Sequence, residues 1–352
     1  MQSERLLLKD VSANLLVYGV GHATVDATCA AILFTIFKHQ SINFSNTLSY
    51  LILYNVLAFG LQALLGLAVD HFQSPRAAAL LGCMLVGISA LVLSILPVIA
   101  IIFAGIGNAL FHVGGGSISL NLRPRKAALP GMYVAPGALG LYIGTILGKK
   151  GYFIAWPCIL IFVVLSLLIF VIRKPEMNYE HDVMAENQPN HFEIILFLIL
   201  LSIAVRSLVG LALVFPWKAD SGLLIFLTLA IMLGKGLGGI LADKYGWLRV
   251  GVGAVAFSIP LLIFGAQSPY LALLGMFLFN ITMPLTLVII SNILPGRPGF
   301  AFGLTCLALI MGALPVFTEL KHFFGTPWIV FFSITISILS LYYGLRRYIV
   351  NY

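Results

Sequence analysis

The sequence predicts an all-α membrane protein: twelve transmembrane helices in two pseudo-symmetric six-helix bundles. Three observations predict it. The chain is 61% hydrophobic and only 9% charged, whereas a soluble domain carries about 25% charged residues. It divides into twelve apolar runs, most of them close to the ~20 residues that cross a bilayer. One short polar-punctuated stretch occurs twice, about 173 residues apart, roughly half the chain.

In the first half the runs are 12–37, 47–69, 77–95, 97–122, 128–147 and 152–172. The first follows a polar lead with no A-x-A-like cleavage site, so it reads as a span and not as a removed signal. It carries His22 and Asp26, which share one helix face a turn apart. The second run ends in the first copy of the repeated stretch, 66–76, and the third begins directly after it. The fourth carries Gly105, Gly107, Asn108, His112 and three consecutive glycines. The glycines permit tight packing, and Asn108 and His112 again share a face at i, i+4. The fifth holds Pro136-Gly137 and then Gly140, Gly144 and Gly148, a small-residue face suited to close helix contact. The sixth runs into the one long polar segment.

The second half gives 192–215, 221–242, 248–265, 270–293, 299–320 and 327–345. Arg206 lies about 20 Å into its helix and Lys235 about 12 Å deep, at ~1.5 Å per residue. Both fall near the middle of a ~30 Å hydrocarbon core. The tenth run carries Asn280. Short connections make neighbouring spans antiparallel hairpins. The expected domains are residues 1–173, a cytoplasmic linker 174–191, and residues 192–352. The linker holds Glu176, Glu180, Asp182, Glu186, Pro175 and Pro189 and cannot bury a core.

The net charge of +8 follows from Lys and Arg in short loops and implies no nucleic acid. Arg5, Lys9, Arg76, Arg123, Arg125, Lys126, Arg173, Lys174, Lys244, Arg249, Arg297, Arg346 and Arg347 lie on the side of the N-terminus. The opposite side has only Lys38, Lys149, Lys150, Lys218 and Lys321. Both termini are therefore expected in the cytoplasm, with the chain multi-pass in the cell inner (cytoplasmic) membrane. The four cysteines all fall in apolar runs and read as small buried hydrophobes.

Each copy of the repeated stretch has Gly, Asp four residues on and Arg six residues beyond: Gly66, Asp70 and Arg76, then Gly239, Asp243 and Arg249, with Lys244 after the second Asp. At the same offset Gln62 falls opposite Lys235, and Asn108 within a residue of Asn280. The Gly lets a neighbouring helix approach. The Asp, at a helix end, pairs with Arg or accepts from the N-terminus of an adjacent helix. Such a contact forms in one conformation and breaks in another.

This stretch resembles the loop signature of the major facilitator superfamily, which joins the second and third helices and recurs between the eighth and ninth. The second copy matches at Gly239, Asp243, Lys244, Gly246 and Arg249. In the first, His71 replaces a basic residue and Ser74 the glycine. The Pro136-Gly137 region is similar in part to the fifth-helix motif of superfamily antiporters. Gly21–Asp26 and Gly105–His112 look like the corresponding segments of the fosmidomycin-resistance-type branch. That likeness implies efflux of small molecules coupled to protons.

A charged Asp at mid-membrane costs roughly 2.5–3.5 kcal/mol on insertion scales, so Asp26 is expected to face a central cavity between the bundles. The expected proton-coupling residues are Asp26, His22 and His112. Arg206, Lys235, Asn108, Asn280 and Gln62 are expected to bind substrate, and the two loop copies to gate. The expected substrate is a small anionic or polar molecule, moved by alternating access with protons as coupling ion. The expected partners are that substrate and the lipid bilayer, with the chain a monomer. Flux direction is not written in these residues, so an uptake symporter stands beside efflux. A non-transporting scaffold or sensor is the alternative of another class. No cofactor is implied: there is no phosphate-binding loop, no H-E-x-x-H and no G-x-S-x-G. No metal site is assigned, because His22 and His112 have only Asp26 as a further ligand.

Overall fold

The computed structural model describes residues 8–39, 44–177, 179, 192–219 and 221–351. Most of the linker, 178 and 180–191, lies outside the described residues, as does Arg5 of the polar lead. All regular structure among the described residues is helical. The helices are α1 (Leu8–His39), α2 (Phe44–Asn55), α3 (Gln62–His71), α4 (Pro75–Val92), α5 (Pro97–Leu122), α6 (Ala128–Lys150) and α7 (Ala155–Val171). They continue with α8 (Phe192–Ala212), α9 (Ser221–Tyr245), α10 (Trp247–Ile263), α11 (Pro269–Asn280), α12 (Met283–Ile293), α13 (Pro298–Ala313), α14 (Leu320–Phe324) and α15 (Pro327–Asn351). Among the described residues ten helical segments are long and apolar enough to cross a membrane, and α7 and α10 are shorter apolar helices.

These segments follow the twelve expected runs with informative breaks. The second run is two helices, α2 and α3, joined through a π-helical turn at Val56–Gly60. The tenth divides into α11 and α12 at Ile281–Thr282. Pro284 has no N–H for the Asn280 carbonyl, so the ladder is interrupted there. The eleventh stops at Ala313, where Pro315 does the same, and continues as a 3₁₀ turn at Leu314–Phe317.

The chain forms two compact units. Unit 1 comprises Met1–Pro124, Pro136–Tyr179 and Arg297–Gly303; unit 2 comprises Arg125–Ala135, Glu180–Gly296 and Leu304–Tyr352. In unit 1, α4 lies along α5. A Cβ at Gly82 would stand 2.7 Å from the Gly107 carbonyl oxygen, and one at Gly107 2.9 Å from that of Gly82. α6 crosses α1 just as closely: Gly140 faces the Ala23 carbonyl and Gly144 the Ala27 carbonyl, each nearer than a side chain tolerates. In unit 2 the same device recurs with Gly238 against Ile281 and Gly312 against Ala204. α8 packs on α15, and the hydroxyls of Ser202 and Ser337 hydrogen-bond across that contact at 2.9 Å. Without a hydrophobic drive between helices in lipid, close backbone approach and such polar contacts hold the bundle.

The loops of the repeated stretch turn through the left-handed region at equivalent places, Gln73 (φ 52) and Gly246 (φ 97). This corrects the sequence alignment: Gln73, not Ser74, stands where the second copy has its glycine. A non-glycine residue there costs roughly 1–2 kcal/mol, partly offset by the entropy glycine loses. Gln73→Gly is expected to raise stability by about 0.5–1 kcal/mol, read as a higher thermal midpoint in detergent. A lowered midpoint would mean the Gln73 side chain contributes more than its backbone costs.

Candidate functional site

Unit 1 holds a buried polar cluster built from two helices. His22 and Asp26 lie one turn apart on α1; Asn108 and His112 lie one turn apart on α5. His22, Asn108 and His112 are at most 6% exposed, and the Asp26 side chain is 19% exposed. The Asp26 carboxylate meets Nε2 of His22 at 3.3 Å and Nε2 of His112 at 3.5 Å. It accepts a hydrogen bond from Nδ2 of Asn108 at 3.0 Å. The two imidazole Nε2 atoms are 2.9 Å apart. Nδ1 of His112 donates to the Asn108 backbone carbonyl at 2.8 Å. A carbonyl only accepts, so this bond fixes the hydrogen on Nδ1 and leaves Nε2 of His112 as the acceptor end.

The glycines place this cluster. Gly105 admits Leu57 from the π turn, and a Cβ at Gly137 would stand 2.6 Å from an Asp26 carboxylate oxygen and against the His22 ring. Behind Asp26, the Cys29 thiol reaches the Ala104 carbonyl at 3.5 Å, and Tyr54 lies beside both Cys29 and Asp26. The Asn108 amide bond offsets part of the desolvation of the carboxylate, a hydrogen bond to a charged group contributing about 1.5–3 kcal/mol. Chemically the cluster can hold one positive charge, on a ring nitrogen or between rings, next to one negative charge.

Unit 2 holds a buried cation. Arg206 on α8 is 9% exposed. Its guanidinium donates to the hydroxyl of Thr282 and to that of Thr286 at 3.3 Å. Nε has no hydrogen-bond partner among the described residues. Thr282 lies at the break between α11 and α12, which presents its hydroxyl to Arg206. Sequence reasoning missed both threonines, although their i, i+4 spacing around Pro284 marks a polar face. Lys235 on α9 and Asn280 at the end of α11 are half-buried; the Asn280 amide donates to the Met276 carbonyl at 2.8 Å. Gln62 is fully buried in unit 1 and donates to the Ala58 carbonyl at 2.6 Å, within the π turn.

The two loop aspartates each form a fork on a helix N-terminus. Asp70 accepts from the amides of Gly299 at 2.9 Å and Phe300 at 2.8 Å, at the start of α13 in unit 1. Asp243 accepts from Ala127 at 3.1 Å and Ala128 at 3.0 Å, at the start of α6 in unit 2. Both use amides that a helix leaves without an internal partner, with the helix dipole favouring the charge. Gly66 lets the Gly299 backbone close in, and Gly239 that of Ala127. Trp247 adds an indole N–H to Asp243 at 2.9 Å. Arg76 does not pair with Asp70. Its guanidinium reaches the Phe170 carbonyl at 3.4 Å and the Ile172 carbonyl, capping α7 at its negative end. Lys244 lies 5.1 Å from the Tyr245 ring centroid, and Arg249 is exposed.

No protein-family model matches the chain, and no curated protein matches it in sequence. Solved structures match it over nearly the whole length. The fucose:proton symporter FucP of E. coli is similar at 12% identity and a TM-score of 0.71, over 98% of this chain and 99% of that one. FucP in the outward conformation, described as a major facilitator superfamily transporter, gives 11% and 0.65 over 97% and 99%. The proton:xylose symporter XylE, bound to 6-bromo-6-deoxy-D-glucose, gives 16% and 0.67 over 96% of each chain. The fold of this chain is therefore the major facilitator fold.

Proposed function

We propose that the chain is a secondary active transporter that moves a small polar or anionic organic molecule across the cytoplasmic membrane by alternating access, driven by protons. The observation that carries this is the His22–Asp26–Asn108–His112 cluster, three buried polar side chains and a largely buried carboxylate packed together between two membrane-spanning helices. Polar groups of this cost inside spanning helices mark ion or substrate pathways. In this reading Asp26 with His22 and His112 carries the coupling proton. Arg206, whose charge is met by hydroxyls and by no ion pair among the described residues, holds an acidic or polyol group of the substrate. We also assign substrate contact to Lys235, Asn108, Asn280 and Gln62, and gating to the Asp70 and Asp243 forks. We place both termini in the cytoplasm and read residues 1–173 and 192–352 as the two bundles, joined by 174–191, in a monomer.

Efflux is the direction supported by the likeness of Gly21–Asp26 and Gly105–His112 to the resistance-type branch. Uptake by proton symport is the second reading, favoured because FucP and XylE are proton symporters. Counterflow in vesicles with the gradient reversed separates the two. The reading itself is tested by a thermal-shift screen of small organic acids, sugar phosphates and sugars on the purified chain. A ligand at a hundred times its Kd adds about 2.7 kcal/mol of stability. That gain is expected to vanish in Arg206→Met, which keeps the buried volume and removes the charge. A hit of equal size in Arg206→Met would remove Arg206 from the site.

A further inference from the structure

We propose that His22, Asp26 and His112 form a binding site for a divalent first-row transition-metal cation of the zinc, cobalt or nickel class. Among the described residues no other group of three His, Cys, Asp or Glu side chains converges this way. The two Nε2 atoms are 2.9 Å apart, and the carboxylate oxygens lie 3.3 and 3.5 Å from them. In a tetrahedral site with metal–ligand distances of ~2.0–2.1 Å, the ligand atoms are about 3.3–3.4 Å apart. Each nitrogen meets a different carboxylate oxygen, and one ligand atom from each of the three groups lies within 4.8 Å of the others, so a small rotation of the carboxylate brings one oxygen and both nitrogens to the corners of one face of such a site.

The donor chemistry agrees. Two neutral imidazoles and one carboxylate suit this class of metal over magnesium or calcium, which take oxygen ligands. His112 is set for ligation, because the Nδ1 bond to the Asn108 carbonyl turns Nε2 inward as the lone-pair end. Asn108 also orients the carboxylate through its amide, as outer hydrogen bonds do in metal sites. Nε2 of His22 donates to Nε2 of His112; metal binding moves that hydrogen to Nδ1 of His22 and leaves both rings neutral. The rings meet edge to face at 74° and would rotate to aim both lone pairs at one point. Gly137 places no side chain in the way. The partly exposed edge of Asp26 leaves the fourth position to water or a solute.

The site concerns the same side chains to which we assign the coupling proton, but its test reads binding and not transport. Purified full-length protein in detergent is titrated with Co²⁺, whose four-coordinate complexes give intense visible bands. Bands saturating at one equivalent, and bleached by Zn²⁺, are expected. Asn108→Ala should weaken binding about 10–100-fold, and Gly253→Ala, with open space around it, should leave it unchanged. Asp26→Asn and His112→Gln, both close in size to the native side chains, should abolish the bands while eluting as the wild type does. Loss in either well-behaved variant supports the site. If neither is recovered folded, Asn108→Ala decides: weakened binding supports the site and unchanged binding overturns it. A wild-type protein without bands, or bands persisting in both variants, also overturns it.

Discussion

Proteoliposomes carrying Asp26→Asn are expected to lose pH-gradient-driven substrate accumulation by on the order of 10²-fold, the scale on which a positioned proton-transfer group acts. Downhill counterflow should survive. The amide keeps the size and much of the polarity of a protonated carboxyl, so the packing of α1 on α5 and α6 is retained. It cannot ionise, so the proposed exchange of a proton at the cluster of His22, Asn108 and His112 is blocked. Gradient-driven transport at the wild-type rate would take Asp26 out of the coupling role. Loss of counterflow as well would mean that the side chain serves substrate binding or folding.

Gly144→Leu should prevent recovery of folded protein. A Cβ at this position would sit against the Ala27 carbonyl oxygen, a backbone atom of α1 that cannot swing aside. Overpacking typically costs 1–3 kcal/mol where side chains give way; here two helices must part, and about 3 kcal/mol or more is expected. Parting them would also pull Gly137 away from His22 and Asp26, so any surviving protein should lose the polar cluster. Gly253→Leu is the control, since nothing lies within 4 Å of its added Cβ. Fluorescence-detected size exclusion separates the two. A monodisperse Gly144→Leu with an unchanged thermal midpoint would contradict the close α1–α6 contact.

The sequence showed most where the chemistry is local. The His22–Asp26 and Asn108–His112 pairs are legible because i, i+4 spacing alone puts each on one face, and the structure brings the two faces together. The repeated Gly and Asp of the loops likewise announce a close approach and a helix-end acceptor, and both appear at Asp70 and Asp243. What sequence could not show depends on partners remote along the chain. Thr282 is 76 residues from Arg206, and no periodicity links them. Arg76 was legible as a loop cation, but its target is the end of α7 and not the nearby Asp70. The π turn at Val56–Gly60 has no compositional mark, since every residue in it is apolar or glycine. The break at Thr282 was not read, because a span defined by hydropathy runs straight through Pro284.

The two aspartate forks also set an order of maturation. Asp70 belongs to the first half of the chain and clasps amides that lie 229 residues ahead of it. Asp243 belongs to the second half and reaches 116 residues back. Each half thus lends the other the opening turn of one helix. A ribosome that has finished only the first half has delivered a carboxylate still waiting for its helix and a helix still waiting for its carboxylate. Unit 1 therefore cannot be completed until translation has passed Phe300, and a chain truncated before that point ends with Asp70 lacking both amides.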